Sequence, residues 1–346
     1  MTARGVLIGC GFFARNHMNA WADIPGATIV GVCDLDPAKA AVFSDDFRAE
    51  AFTDAAAMLD SLRPDFVDIA TTVTAHRSLV ELAAPRSGLL ICQKPLAETL
   101  ADAFAMVAAC DRAGIPFLVH ENFRWQAPFR ALRAALEAGQ IGAPQFLRLS
   151  FRHGFDVYAN QPYLAEVRNL ALTDVGLHLF DLARFFLGDV TSVACQTQRL
   201  NPRVTGQDAF TALLRHHSGS VCSVECSFQS TYSPDPFPQT VAVLEGTMGT
   251  LELSAGYRMT LHRDGQATVN DVEPAVPVWG EKPWHLVQDS VLAFQTHAIE
   301  VLAGRATPQP SGVHNLETLA VTRAAIHAAD TGTTVDLAAY LSGGAA

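Results

Sequence analysis

The fold is decided by the stretch Gly5-Val6-Leu7-Ile8-Gly9-Cys10-Gly11-Phe12-Phe13-Ala14. Its first four residues form a short apolar run, which is typical of a strand buried on both faces. The spacing G-x-G-x-x-A follows at once, and a helical pattern begins where it ends. Gly9 permits a tight turn, Gly11 lets the backbone approach a pyrophosphate, and Ala14 lets the helix pack closely on the strand. The stretch therefore predicts a dinucleotide-binding turn with the phosphates at a helix N-terminus.

The pattern that follows alternates between strands and helices. Such alternation is typical of a parallel sheet with helices on both faces, the Rossmann arrangement. We therefore predict an N-terminal Rossmann domain over residues 1–121, with an α/β fold. Further strands are predicted at 27–33, 65–70, 88–92 and 116–119, and helices at 38–49, 54–62, 76–85 and 98–113.

Asp34 stands at the end of the second predicted strand, 25 residues after Gly9. An acidic residue near this spacing accepts hydrogen bonds from the adenosine ribose of a bound dinucleotide. A carboxylate there repels a 2′-phosphate, and Leu35 supplies no compensating cation, so NAD is favoured over NADP. The alternative interpretation is that Asp34 caps the helix that begins near Pro37.

Ligands of a parallel sheet bind outside the carboxyl ends of its strands. Residues just past the predicted strand ends are therefore candidates for contact with the dinucleotide. His76 opens a predicted helix, where its ring could reach a ribose or the substrate, and capping of that helix is the alternative. With Gly9, Gly11 and Asp34, the cofactor candidates are Phe12, Phe13, Thr71, Thr72, His76, Gln93, Lys94 and Asn122.

Lys94 is the candidate whose position best suits a catalytic role. It follows the apolar run Leu89-Leu90-Ile91-Cys92 after one further residue, and Pro95 fixes the direction in which the chain leaves. A lysine at a strand end is partly desolvated, which lowers the pKa of its ammonium group and suits proton transfer. A surface lysine in a loop is the alternative.

A change of composition near His120–Trp125 predicts a domain boundary, and we assign residues 122–346 to a second domain. Consecutive strand patterns separated by short turns indicate an antiparallel sheet there. Its strands are predicted at 144–151, 191–200, 209–216, 220–229, 240–245, 250–253 and 258–262, and its helices at 127–138, 286–302 and 315–329.

One amphipathic helix is predicted over Leu172–Leu187 within that domain. At about 100° per residue, Asp174, His178 and Asp181 share one stripe of it. Three interpretations stay open. The stripe is an ordinary polar face with a structural histidine, or a metal site, because His and carboxylates one turn apart can share an ion. The third is an acid–base pair, in which His178 moves a proton and Asp174 orients it or binds the same hydroxyl.

The composition limits the class of protein. With 346 residues two domains are expected, and 49% hydrophobic with 17% charged residues describe a folded, soluble chain. The net charge of -11 argues against nucleic-acid and membrane partners. No long apolar run and no signal-peptide cleavage pattern are present. The 7 cysteines are scattered through apolar runs, which predicts a reduced, cytoplasmic protein.

Four features occur together in the chain: Gly9-x-Gly11-x-x-Ala14, Gln93-Lys94-Pro95, Asn122-x-Arg124 and Asp174-x-Gly176-x-His178-x-x-Asp181. In this combination the sequence resembles the glucose–fructose oxidoreductase / inositol dehydrogenase / MocA family over essentially its whole length. The family's usual Glu-Lys-Pro is Gln-Lys-Pro here, which leaves Lys94 in place. The resemblance implies a Rossmann domain joined to an α+β domain with a large, mostly antiparallel open sheet, whose open face forms homodimers or homotetramers.

The same resemblance implies roles for the catalytic candidates Lys94, Asp174 and His178. Lys94 would hydrogen-bond the reacting hydroxyl, His178 would be the main general base, and Asp174 would hold a substrate hydroxyl. Hydride would pass from the carbinol carbon of a small sugar to NAD. The family places no metal in its Asp/His motif, so no metal is expected.

Further stretches resemble pentose-oxidising members of the family, namely 70–73, 120–126, 151–156, 161–164 and 283–285. This implies oxidation at the anomeric carbon of a branched pentose to a lactone. Arg152 and Tyr163 are then candidates for contact with sugar hydroxyls, or loop residues at a subunit contact. Competing interpretations are an inositol, aldose or polyol dehydrogenase, a non-catalytic NAD-binding regulator, and an NAD-dependent glycosidase.

Overall fold

The computed structural model describes residues 2–159, 161–232 and 237–343. The chain divides into two compact units. The first comprises the residues up to Trp125 together with Val276–Leu319, and the second comprises Gln126–Ala275 and the residues from Ala320 onward. Each unit is built on one sheet.

The first unit contains a six-stranded sheet in the order β3-β2-β1-β4-β5-β6, and every strand pair is parallel. This confirms the predicted Rossmann fold. The short edge strand β3 was not among the predicted strands. The strands are β1 (Ala3–Ile8), β2 (Ala27–Cys33), β3 (Glu50–Phe52), β4 (Phe66–Ile69), β5 (Leu90–Gln93) and β6 (Phe117–His120). The helices between them are α1 (Ala14–Asp23), α2 (Pro37–Phe47), α3 (Ala55–Leu62), α4 (Val73–Ala83) and α5 (Leu100–Ala113).

The chain returns to the first unit after residue 275, which the predicted boundary at 121/122 does not include. The returning segment contains α8 (His285–Leu302). Phe294 and Ala298 of this helix are fully buried in one apolar cluster with Leu7 of β1 and Trp21 of α1. The helix therefore completes the core of the unit that begins the chain, because α1 needs an apolar cover on its outer side.

The second unit contains a nine-stranded sheet in the order β14-β13-β12-β11-β7-β10-β9-β8-β15. The β7–β10 pair is parallel and the other described pairs are antiparallel, which confirms the predicted mostly antiparallel sheet. The strands are β7 (Pro144–Arg152), β8 (Val190–Gln198), β9 (Ala209–His216), β10 (Val221–Ser227), β11 (Thr240–Gly246), β12 (Thr250–Ser254), β13 (Arg258–Arg263), β14 (Gln266–Asp271) and β15 (Val335–Asp336).

The remaining helices are α6 (Ala127–Glu137), α7 (Leu177–Leu187), α9 (Gly312–Thr331) and α10 (Leu337–Ser342). Residues 312–319 of α9 belong to the first unit and the rest of this helix to the second. Within the described ranges no helix, including α8 with 18 residues and α9 with 20, is both long and apolar enough to cross a membrane.

The prediction of one amphipathic helix over 172–187 is wrong in two respects. Residues Ala171–Gly176 form a π-helical segment, and the α-helix begins only at Leu177. All residues of α7 except Phe185 are buried, so the helix has no solvated polar face. Its buried Arg184 is instead paired with Asp189, with 2.8 Å between the charged groups. A π-helical turn also holds more residues than an α-helical one, so the 100° projection does not apply to Asp174.

We expect Gly5→Ala to destabilise the protein, because an ideal Cβ at Gly5 would lie 2.1 Å from the Phe66 ring. Overpacking of this kind costs about 1–3 kcal/mol. Urea unfolding should show a lower midpoint for Gly5→Ala and partial recovery in the double variant Gly5→Ala/Phe66→Leu. An unchanged midpoint for the single variant would show that the two strands do not meet as described.

Candidate active site

In the turn after β1, other protein atoms lie close to Gly9, whereas the space beside Gly11 is open. Gly9 has φ +100, and an added Cβ would lie 2.6 Å from the Ala70 carbonyl oxygen. Glycine is therefore required there on both conformational and steric grounds. Gly11 has no heavy atom within 4 Å of an added Cβ. The backbone at Gly11 is consequently open to a close ligand, as the approach of a pyrophosphate requires.

The side chain of Asp34, which follows β2, is hydrogen-bonded to this turn. Its Oδ2 accepts the Cys10 N–H at 2.8 Å and its Oδ1 accepts the Asp36 N–H at 2.9 Å. Asp36, not Asp34, caps α2, accepting the Ala38 N–H at 2.9 Å. The capping interpretation of Asp34 is therefore wrong. A carboxylate has about four acceptor positions, so Asp34 retains capacity for ribose hydroxyls.

The other candidates at strand ends differ in accessibility. Phe12 is 66% exposed, whereas Phe13 is half-buried with its ring edge toward His17 at 5.5 Å between centroids. Thr71 is half-buried, and Thr72 is exposed and precedes the first residue of α4. Asn122 is buried, and its Nδ2 donates to Ser290 Oγ at 2.8 Å. Contact of these residues with a cofactor stays a prediction.

His76 does not lie where the sequence predicted it. Its side chain is fully buried, with Nδ1 3.1 Å from the Pro95 carbonyl oxygen and Nε2 3.2 Å from that of Thr71. Burial lowers the pKa of its imidazole although these carbonyls favour the charged form. Because α4 begins at Val73, His76 is not its cap. It instead ties together two loops that follow neighbouring strands. Contact of His76 with a cofactor stays a prediction.

Gln93 is the last residue of β5, and Lys94 follows it half-buried at the strand end, as predicted. The Lys94 N–H donates to the Gln93 side-chain Oε1 at 2.7 Å. The Gln93 Nε2 lies 3.1 Å from Nε2 of His17, which is fully buried on α1. The peptide bond between Lys94 and Pro95 is cis. Sequence reasoning did not select His17, although a histidine three residues after Ala14 on the dinucleotide helix was a visible signal.

In the second unit, Asp174 and Arg152 both influence the pKa of the Cys226 thiol. Burial raises the pKa of this thiol well above its usual value, Asp174 raises it further, and Arg152 lowers it. Arg152 also faces Glu225 at 3.7 Å. Arg152 at the end of β7 and Asp174 of the π-helical segment therefore both influence Cys226 of β10.

Tyr158 belongs to the same neighbourhood and was not selected from the sequence. Burial raises the pKa of its phenol to about 12, and nearby carboxylates, Asp174 among them, add to the effect. Its buried hydroxyl has no hydrogen-bond partner among the described residues. Such a group can bind a ligand hydroxyl. No local pattern distinguishes this tyrosine from an ordinary loop residue.

The remaining candidates of the second unit are His178 and Tyr163. His178 is buried at the second position of α7, directly after the π-helical segment. Tyr163 is 65% exposed, and its hydroxyl donates to Gln161 Oε1 at 3.0 Å. A role of either residue in substrate binding stays a prediction. No group of three or more His, Cys, Asp or Glu that could hold a metal ion was found in the described ranges.

Comparison with known proteins assigns each of the two units to a known domain family. Residues 3–121 match the profile described as "Oxidoreductase family, NAD-binding Rossmann fold", and residues 129–252 match the "GFO/IDH/MocA C-terminal domain". D-apiose dehydrogenase of Rhizobium rhizogenes is 47% identical over 98% of this chain and 98% of its own length. The chain belongs to the Gfo/Idh/MocA oxidoreductase family. It is therefore an NAD-dependent oxidoreductase.

Two other members of the family are similarly close. D-apiose dehydrogenase of Paraburkholderia graminis is 49% identical over 96% of this chain and 89% of its own length. The crystal structure of an oxidoreductase from Agrobacterium radiobacter in complex with NAD+, L-tartaric acid and magnesium superposes with a TM-score of 0.95. That chain is 46% identical, and the match covers 98% of this chain and 99% of the other.

The residues of the first unit fit NAD. The open backbone at Gly11 would hold the pyrophosphate, and the carboxylate of Asp34 would hold the adenosine ribose. Leu35 beside Asp34 is 92% exposed and brings no positive charge, which favours NAD over NADP.

We expect Gly11→Ala to weaken NAD binding about 10-fold or more, or ~1.4 kcal/mol, while leaving the thermal midpoint unchanged. The new methyl group would meet no protein atom within 4 Å. It would lie where we expect the pyrophosphate to approach the backbone. Calorimetric titration with NAD and thermal unfolding of the free protein measure the two effects. Equal NAD affinity in Gly11→Ala and the parent would contradict the assigned phosphate position. Gly5→Ala is the comparison variant, because it is expected to lower the stability of the fold.

Proposed function

We propose that the protein oxidises the anomeric carbon of a pentose, D-apiose, to its lactone with NAD as acceptor. The observation that carries this proposal is the identity of 47% and 49% with two D-apiose dehydrogenases over nearly the whole chain. Lys94, Asp174 and His178 are the residues to which we assign the chemistry.

An alcohol is a poor hydride donor until its oxygen gains negative charge, so removal of the proton must accompany loss of the hydride. In this proposal Lys94 hydrogen-bonds the anomeric hydroxyl and His178 accepts its proton, a role suited to imidazole near neutral pH. Bound NAD supplies the hydride acceptor. The C–H bond at the anomeric carbon breaks, a C=O bond forms, and the products are lactone, NADH and one proton.

The other substrate hydroxyls need partners as well. We assign one of them to the Asp174 carboxylate, and Arg152 and Tyr163 to others. Tyr158 joins this set because its buried hydroxyl has no partner among the described residues and lies within the electrostatic influence of Asp174.

We expect NADH formation with D-apiose at a higher kcat/KM than with D-xylose, D-galactose or myo-inositol. Lys94→Ala and His178→Asn should each lower kcat/KM by about 10²–10⁴-fold, because each removes a group that handles the proton. Lys282→Ala is a matched control, since Lys282 also precedes a proline but is exposed. His217→Asn, at an exposed turn, is the control for His178→Asn.

Three other experimental outcomes would each indicate a different function. Preference for myo-inositol would indicate an inositol dehydrogenase. Release of a leaving group from an aryl glycoside without NADH would indicate an NAD-dependent glycosidase. Absence of turnover across all sugars, with NAD still bound, would indicate a regulator.

We also propose that the protein forms a homodimer or homotetramer through the open face of the nine-stranded sheet. Leu213 of β9 is 55% exposed on that face. Along one row of register it is followed by Ser223, Arg148 and Val243 on β10, β7 and β11. Two of these four residues are apolar, a composition compatible with an interface between copies.

Light scattering should give a mass of two or four times 37.1 kDa. The double variant Leu213→Glu/Val243→Glu should reduce this mass, because it places carboxylates in the buried interface. Leu341→Glu on α10 is the control with a similarly exposed leucine. A monomer for the parent chain would exclude the proposed assembly.

A cytoplasmic location is part of the proposal. It is supported by the 7 cysteines, which are all buried thiols without a disulfide. Disulfides are rare in the reducing cytosol, where thiols of this kind persist.

A further inference from the structure

A buried carboxylate lies at the centre of the parallel sheet of the first unit. Asp68 is on β4, between β1 and β5, and its side chain is fully buried. Its Oδ2 accepts hydrogen bonds from Trp21 Nε1 at 2.8 Å and from Gln295 Nε2 at 3.4 Å, and His17 Nδ1 lies 2.8 Å away. A buried carboxylate is tolerated only with such partners.

The amide of Gln93 continues this set of hydrogen bonds to Lys94. A backbone N–H can only donate, so the oxygen of the Gln93 amide must face the Lys94 N–H, at 2.7 Å. The amide nitrogen then faces Nε2 of His17, at 3.1 Å. The orientation of the amide is thus fixed by the main chain at Lys94.

The protonation of His17 follows from the same reasoning. The Gln93 amide nitrogen is a donor, so Nε2 of His17 must accept. The single proton of the neutral ring is then on Nδ1, where it is donated to Asp68. The ring is also stacked on His120, with 4.2 Å between centroids, which fixes its plane.

We propose that Asp68, His17 and Gln93 form a buried hydrogen-bond relay that positions the main chain at Lys94, and that Gln93 holds His17 in the neutral Nδ1–H form. We call these three residues the relay. They are positioning residues, since the relay contacts Lys94 through its backbone. The consequence for turnover rests on the proposed function of Lys94, whereas the protonation of His17 does not.

The departure from the family's usual Glu-Lys-Pro gives the proposal its sharpest consequence. A glutamate at position 93 could still accept the Lys94 N–H, but it would have no hydrogen to donate to His17. Two acceptors would then face each other unless a proton entered between them. With Asp68 on the other side, that proton belongs on the imidazole, which becomes doubly protonated between two carboxylates.

Solid-state ¹⁵N spectra of histidine-labelled protein at pH 7 test the protonation directly. His17 is assigned by the signals that disappear in His17→Asn. We expect the neutral Nδ1–H form in the parent, the doubly protonated form in Gln93→Glu, and no change in Gln266→Glu, an exposed control. A neutral Nε2–H ring or an imidazolium in the parent, or an unchanged ring in Gln93→Glu, would overturn the proposal.

Kinetics test the positioning. Gln93→Met keeps the size of the side chain but removes both hydrogen bonds, and His17→Asn keeps a donor toward Asp68 while removing the acceptor for Gln93. We expect both to lower kcat about 10-fold or more with little change in KM, because displacement of a reacting group is costly. Thermal unfolding identifies variants that fail to fold, and Gln93→Glu retains the Lys94 contact as a second test of kcat.

If Gln93→Met and His17→Asn are folded and keep kcat within about twofold, the positioning role is wrong. A larger loss of kcat in Gln93→Met than in Gln93→Glu supports it, since the Lys94 contact survives only in the latter. A parent enzyme that oxidises no sugar would refute the proposed function instead, and the spectra would still decide the protonation of His17.

Discussion

The first unit depends on the hydrogen bonds that hold the Asp68 side chain in the middle of a parallel sheet. Parallel strands covered on both faces are almost entirely apolar, and β4 is buried throughout. A carboxylate there is tolerable because α1 supplies His17 and Trp21 and α8 supplies Gln295. One acidic side chain is therefore bound by two helices that are distant in sequence.

The residues proposed to bind the cofactor lie in a different structural setting from those proposed to bind the substrate. Gly9, Asp34 and Gln93 are held by backbone contacts at the ends of strands, where dihedral angles and hydrogen bonds leave little freedom. In the second unit, Asp174 lies on a π-helical segment and Tyr158 on a loop. Segments of this kind are frequent at functional sites.

The sequence predicts the features that are encoded locally. The spacing of Gly9, Gly11 and Ala14 is enough to place a turn between β1 and α1. Each glycine is needed for a steric reason that is set by residues nearby in sequence or by the bound ligand. The alternation of apolar and polar patterns gives most strands and helices for the same reason. Lys94 is correctly placed at the end of a strand because an apolar run precedes it.

Features that depend on tertiary packing were not predictable in this way. His76 was placed after the right strand, but sequence does not give the direction of a side chain, and its ring is directed inward. The stretch 171–187 has a helical pattern, yet Asp181 and Arg184 are buried and its first turn is wider than an α-helix. Strand β14 is exposed at every residue and so lacks the alternation that identifies a strand. The position of α8 depends on contacts distant in sequence, with the apolar surface of α1 and with Asp68.

The most direct test of the proposed chemistry uses D-apiose carrying deuterium at its anomeric carbon, with NAD and the full-length protein. Mass spectrometry of the products measures the position of the deuterium. We expect it in the reduced nicotinamide ring, with an unlabelled lactone. Deuterium that stays in the sugar product or appears in the solvent would contradict hydride transfer from that carbon.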